Sequence, residues 1–77
     1  MKLTIVPEDK TVIVDGIPLL NLDLSSCNIP ANIHALQWNN DKGWIEYVDV
    51  DGEKEPNLAI TELPEWANLC VSTHKAI

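Results

Sequence analysis

Two short β-branched segments, the second of which ends at an Asp-Gly pair, limit the fold of this chain more than any other feature. Residues 2–6 and 11–14 alternate in the manner of strands, and Asp15-Gly16 follows the second segment. Both residues of such a pair tolerate a positive φ, which makes it the strongest local signal for a tight hairpin. Residues 17–22 then predict a returning third strand. Pro18 lacks an N–H donor, so this strand is expected at an edge of the sheet.

A second hairpin is predicted in the middle of the chain. Residues 33–38 and 44–50 read as strands, and the polar residues 39–43 read as the loop between them. Side chains alternate between the two faces of a strand. One face of the first strand is therefore predicted to carry His34, Leu36 and Trp38, and the other to carry Ile33, Ala35 and Gln37.

Only the last part of the chain shows helical periodicity. Thr61 is predicted to be the N-cap residue, with Glu62 in the first turn and Pro64 tolerated there. An apolar stripe with helical spacing follows, and a stripe of this kind packs against a core. Its members are Leu63, Trp66, Ala67, Cys70, Val71 and His74.

These patterns together predict one α+β domain that spans residues 1–77. In it, an antiparallel sheet of about five strands is covered on one face by the C-terminal helix. No internal repeat and no linker divides the chain, and 77 residues provide for one modest core.

The charge of the chain narrows the choice of partners. Twelve acidic and five basic residues give a net charge of -7. This disfavours nucleic acid and an anionic membrane surface, because both require basic patches, and it is compatible with a basic protein partner. The acidic residues are scattered along the chain and are not predicted to gather on one face.

The compartment is predicted from what the sequence lacks. No apolar stretch approaches membrane-spanning length, and no signal peptide precedes the first strand. We therefore expect a cytosolic protein in which Cys27 and Cys70 are reduced. Their spacing alone leaves open whether they are bridged.

Residues with ligand chemistry do not form a recognisable metal site. Residues 49–52 (Asp-Val-Asp-Gly) look like part of a calcium loop, but aligning the glycine places Tyr47 and Leu58 where oxygen ligands are required. A hairpin turn at Asp51-Gly52 is predicted there instead. Structural zinc takes ligands in close pairs, and only Cys70 and His74 are close, at i and i+4. The remaining candidates for such a site are His34 and Cys27.

Catalytic chemistry is not indicated either. Residues 25–27 (Ser-Ser-Cys) lack the glycine elbow of a nucleophile motif, and the chain is too thin to enclose a substrate. We therefore predict no catalytic, cofactor-binding or metal-binding residues, and no enzymatic activity.

The aromatic residues suggest a contact surface. Trp38 and Trp66 are predicted to lie in the core. Trp44 has the opposite strand parity from Tyr47, so one of these two should face away from the core. An exposed aromatic side chain on a sheet is a typical anchor for a protein contact. Trp44 and Tyr47 are thus the candidate interface residues.

Four segments of the chain resemble short proteins encoded among the tail and tail-fibre genes of tailed bacteriophages and prophages. The likeness covers most of the chain, although no single segment is diagnostic of an activity. The segments are residues 3–9 (Leu-Thr-Ile-Val-Pro-Glu-Asp), 14–16 (Val-Asp-Gly), 29–38 with 44–47 (Trp-Ile-Glu-Tyr), and 57–67 (Asn-Leu-Ala-Ile-Thr-Glu-Leu-Pro-Glu-Trp-Ala).

This resemblance implies a tail-associated protein that acts by binding a phage tail or tail-fibre protein, as a minor tail or fibre component. It carries over no catalytic residues, cofactor or metal. Its implied location is the cytoplasm of the bacterial host during assembly, or the virion tail. Two alternatives remain: a tail-fibre assembly chaperone, or a small acidic phage protein that binds and inhibits a host protein. Self-association into a homo-oligomer is also left open.

Overall fold

A six-stranded antiparallel sheet and one helix account for the regular structure of the chain. The computed structural model describes all 77 residues, and the strand order across the sheet is β3-β2-β1-β4-β5-β6. The elements are β1 (Lys2–Val6), β2 (Thr11–Val14), β3 (Ile17–Leu19), a 3₁₀ turn (Ser25–Cys27), β4 (Ile33–Asn39), β5 (Lys42–Tyr47), β6 (Leu58–Ile60) and α1 (Glu65–Lys75). The predicted α+β fold is confirmed, with six strands instead of about five.

Both Asp-Gly pairs form the tight turns that the sequence predicts. Asp15 and Gly16 have φ values of 50° and 82°, and Asp51 and Gly52 have values of 52° and 79°. Positive φ at both central residues is the signature of a type I′ turn, whose twist matches that of the flanking strands. The second turn is closed by a pair of backbone hydrogen bonds of 2.8 and 2.9 Å between residues 50 and 53.

The predicted alternation along β4 is wrong at His34. The register against β5 shifts between Ile33 and Ala35, as it does at a β-bulge, where one extra residue changes the direction of the side chains. His34 is therefore exposed, and Ile33, which was predicted on the opposite face, is buried in the core with Leu36 and Trp38. The predicted five-residue loop at 39–43 is also too long, because β4 continues to residue 39 and β5 begins at residue 42.

The strand ends and the start of the helix differ from the predictions. β3 ends at Leu19 and β5 at Tyr47, and the unpredicted β6 pairs with β5. Helix α1 begins at Glu65 after Pro64, whose carbonyl accepts the first helical hydrogen bonds. Thr61 is not the N-cap residue. A proline disfavours helical angles at the residue before it, so the helix cannot easily begin upstream of Pro64.

The core lies between the helix and one face of the sheet. Helix α1 packs against β2 and the 3₁₀ turn, and its buried side chains are Ala67, Cys70 and Val71. Trp38 is buried as predicted, while Trp66 is half-buried against the core. The sheet contributes Leu3, Ile5, Val12, Val14, Ile33, Leu36, Trp38 and Ile45. The helix covers this face alone, and the opposite face of the sheet is left open.

Candidate protein-interaction surface

The open face of the sheet carries one continuous row of side chains across all six strands. The strand registers place these residues directly opposite one another, and alternation turns them away from the buried face. The row consists of Pro18, Ile13, Thr4, Gln37, Trp44 and Ala59. We call this row and the side chains beside it the open face.

Trp44 is the most prominent residue of the open face. Its side chain is 44% exposed, and its Nε1–H donates a 2.8 Å hydrogen bond to Glu46 Oε2, two residues along the same face. This bond restrains the indole ring before any partner arrives. A preordered aromatic side chain loses less conformational entropy when it becomes buried in a contact.

Polar side chains tie the middle of the open face together. Thr4 Oγ1 donates a 2.7 Å hydrogen bond to Gln37 Oε1, which joins β1 to β4. Beside this pair lies a shallow hollow of about 370 Å³, with Lys2, Ile13 and Trp44 among its lining residues. The surface thus combines an aromatic anchor, aliphatic contact area and hydrogen-bonding groups, as the centre and rim of protein interfaces do.

Tyr47 lies on the other side of the sheet. It shares the parity of Ile45, is half-buried, and packs against the hydrophobic core. Tyr47 also lines a hollow of about 360 Å³ at the end of β5, together with Asn32, Val50 and Glu53. The prediction that one of the two aromatics faces outward is confirmed for Trp44, but the two do not form one surface.

The two cysteines meet in the core. Cys27 and Cys70 are both free thiols with no exposed surface, and Cys27 Sγ lies 3.5 Å from Thr73 Oγ1 of the helix. Burial, helped by a hydrogen bond with Cys27, raises the pKa of Cys70 to about 12. Cys70 therefore acts as a small buried hydrophobic group, because its thiol stays protonated.

The four residues considered for zinc are dispersed. His34 is exposed on β4, and His74 Nε2 donates a 2.9 Å hydrogen bond to the carbonyl oxygen of Ile17 in β3. The cysteines face each other inside the core. No group of three histidine, cysteine, aspartate or glutamate side chains lies close enough to hold a metal ion.

Sequence reasoning identified Trp44 on the open face but missed its neighbours Ile13, Thr4 and Gln37. Each of these residues alternates with buried residues of its strand, and that alternation is the signal that marks the open side. Which of them lie beside Trp44 depends on the pairing of β1 with β4, and these strands are distant in the sequence.

None of the helices is long and apolar enough to cross a membrane. No protein-family model, curated protein or solved structure matches this chain. The resemblance to phage tail-region proteins therefore stays a prediction.

Proposed function

We propose that this chain is a protein-binding component of a phage or prophage tail or tail fibre, and that it works by adhesion and not by catalysis. The observation that carries the proposal is the open face, where a preordered Trp44 stands exposed on a sheet whose other face is filled by the helix. Aromatic anchors surrounded by polar groups contribute a large share of the energy of protein contacts.

The proposed partner is a tail or tail-fibre protein, in accord with the resemblance of the sequence. Binding would place the indole of Trp44 in a pocket of that protein. Thr4 and Gln37, which are hydrogen-bonded to each other, would form hydrogen bonds with the partner. The protein would act in the host cytoplasm during assembly and remain in the virion tail if it is a structural component.

Mass spectrometry of purified particles tests the biological setting. A fixed stoichiometry in virions is expected for a tail component. Recovery with fibre protein from infected lysate, but not from particles, would instead establish the assembly chaperone. Recovery only with a host protein would overturn the tail assignment and favour the inhibitor.

A variant of the open face tests the mechanism. Trp44→Thr keeps a residue that favours strands and removes the anchor, so it should weaken capture of the tail or fibre partner by about tenfold or more. Leu20→Ala is the matched control, because Leu20 is 65% exposed but lies outside the sheet. Equal capture by the two variants, with unchanged melting temperatures, would contradict the proposal.

A further inference from the structure

The two edges of the sheet differ in whether they can accept another strand. In β3, the Val14–Ile17 pair closes the two-residue turn at Asp15-Gly16. Hydrogen-bonded and non-bonded pairs alternate along an antiparallel ladder, so the backbone of Pro18 points outward. Proline has no N–H to donate. The β3 edge therefore offers no outward donor within the strand.

The β6 edge does offer an outward donor. The Asn39–Lys42 pair closes the turn between β4 and β5, and alternation from this pair directs the backbone of Trp44 toward β4. The backbone N–H and C=O groups of its neighbours Gly43 and Ile45 therefore point toward β6. Ala59 lies opposite Trp44, so its N–H and C=O both point away from the sheet. An edge with a free donor and acceptor is a template for strand addition.

Exposed apolar side chains lie beside this edge. Leu58 is 49% exposed on the side of the sheet that carries the helix. On the open face, the side chain of Ala59 is too small to cover the neighbouring Trp44. A strand added at β6 would bury apolar surface on both of its faces. Its central side chains would pack against Leu58 on one side and over Ala59 toward Trp44 on the other.

The charge around β6 specifies the kind of strand that fits. Seven of the twelve acidic residues and one of the five lysines lie between Glu46 and Glu65, so this stretch carries -6 of the net charge of -7. Glu53 and Glu55 precede the strand, Glu62 follows it, and all three are exposed. A second copy would bring like charges together, which disfavours pairing, whereas lysine or arginine would complement them.

We infer that the β6 edge binds an extended segment of a partner protein, with an apolar centre and lysine or arginine at its ends, by adding it to the sheet at Ala59. This inference deepens the proposed function, on which it rests, by naming the partner's chemistry and the edge that receives it. The outward amide supplies the backbone bonds, and the acidic flanks supply the selectivity.

The test uses the full chain labelled with ¹⁵N and a short peptide with a Val-Thr-Val centre and two lysines at each end. Amide shifts are expected at residues 58–60, and the dissociation constant should rise with added salt because the flanking charges are exposed. A peptide with glutamate in place of lysine should not bind. Absence of binding by the lysine peptide, equal binding by the glutamate peptide, or self-association through β6 would overturn the inference.

Ala59→Pro is the decisive variant. It reproduces at β6 the arrangement that Pro18 already has at β3, removing the outward N–H without removing a bond to β5. The affinity for the lysine peptide should fall by about tenfold or more, whereas Ala59→Val, which keeps the N–H, should bind like the parent chain. Unchanged affinity of Ala59→Pro would show that charge alone holds the peptide.

A second measurement covers the case in which Ala59→Pro does not fold. The parent chain is then titrated with a lysine peptide whose central amide nitrogens are methylated, which removes the complementary hydrogen bond, donated by the peptide to the outward carbonyl of Ala59. The same tenfold loss is expected, and equal affinity would overturn the inference. Because the probe is synthetic, this result is independent of whether virions contain the protein or whether Trp44→Thr loses its partner.

Discussion

Gly43 is predicted to be the least replaceable glycine of the chain. It lies in β5 opposite Trp38, and a Cβ atom at this position would lie 2.0 Å from the carbonyl oxygen of Gln37 and 2.9 Å from Cα of Trp38. Both neighbours are backbone atoms that cannot rotate away. Gly43→Ala therefore requires the two strands to separate locally.

The distances around Gly43 determine how much stability Gly43→Ala should remove. Restoring a 3.0 Å contact with the Gln37 oxygen needs a movement of about 1 Å, which is enough to break adjacent ladder hydrogen bonds. Losing two such bonds at about 1 kcal/mol each, and disturbing the buried Trp38 by a similar amount, gives about 3 kcal/mol. A chain of this length is expected to have a free energy of unfolding of about 4–12 kcal/mol.

Urea denaturation followed by tryptophan fluorescence and circular dichroism measures the loss. We expect Gly43→Ala to lower the free energy of unfolding by about 3 kcal/mol and the melting temperature by about 12–24 °C. Gly16→Ala and Gly52→Ala are the controls, because a Cβ there meets nothing within 4 Å and only the positive φ is strained, at about 1–2 kcal/mol. A smaller loss at Gly43 than at the controls would refute the close approach of the strands.

Three further predictions concern the core, its thiols and the β3 edge. Leu36→Ala, at a fully buried residue of the central strands, should lower the free energy of unfolding by about 2–5 kcal/mol, and urea titration showing less than about 1 kcal/mol would contradict this. Burial raises the pKa of Cys70 from 9.0 to about 12, so the unfolded chain releases this proton first. The neutral thiol therefore makes its full contribution to the free energy of unfolding below pH 9, and this contribution declines from there toward pH 12. Cys70→Ala should flatten that decline in thermal melts across this pH range. His74→Ala removes the 2.9 Å bond to Ile17 and should cost about 0.5–1.5 kcal/mol with faster amide exchange in β3, and unchanged exchange would count against a tethering role.

The hairpins could be predicted because their signals are local. Asp15-Gly16 and Asp51-Gly52 adopt positive φ values that few other pairs reach at low cost. Pro18 could be assigned to an edge because a proline in an inner strand would leave a neighbouring carbonyl without a donor. Each of these inferences needs only residues adjacent in the sequence.

The features that sequence reasoning missed depend on distant partners. Three residues at 58–60 carry too little pattern to predict β6, and they become a strand because β5 lies beside them. The exposure of His34 follows from a bulge against β5, which no property of His34 indicates. The helix begins late because Pro64 and the pairing of β6 together hold residues 61–64 outside it.

Only part of the open face could be predicted, because its other residues come from strands that are distant in the sequence. Strand parity identifies Trp44 as the aromatic that faces outward when Tyr47 packs inward. The neighbours that make it a surface come from β1 and β4, whose pairing joins Thr4 to Gln37 across more than 30 residues of sequence. No local pattern encodes that register.

The distribution of acidic residues takes on a meaning only once β6 is placed. The acidic residues occur along the whole sequence, but most of the net charge falls within residues 46–65, the stretch that contains the β6 edge. Charge and backbone should then act on different steps of binding: exposed charges mainly change the rate of association, and short-range bonds mainly change dissociation. In stopped-flow measurements with the lysine peptide, added salt should therefore slow association, and Ala59→Pro should speed dissociation. If both changes acted on the association rate alone, the outward amide of Ala59 would have no part in holding the strand.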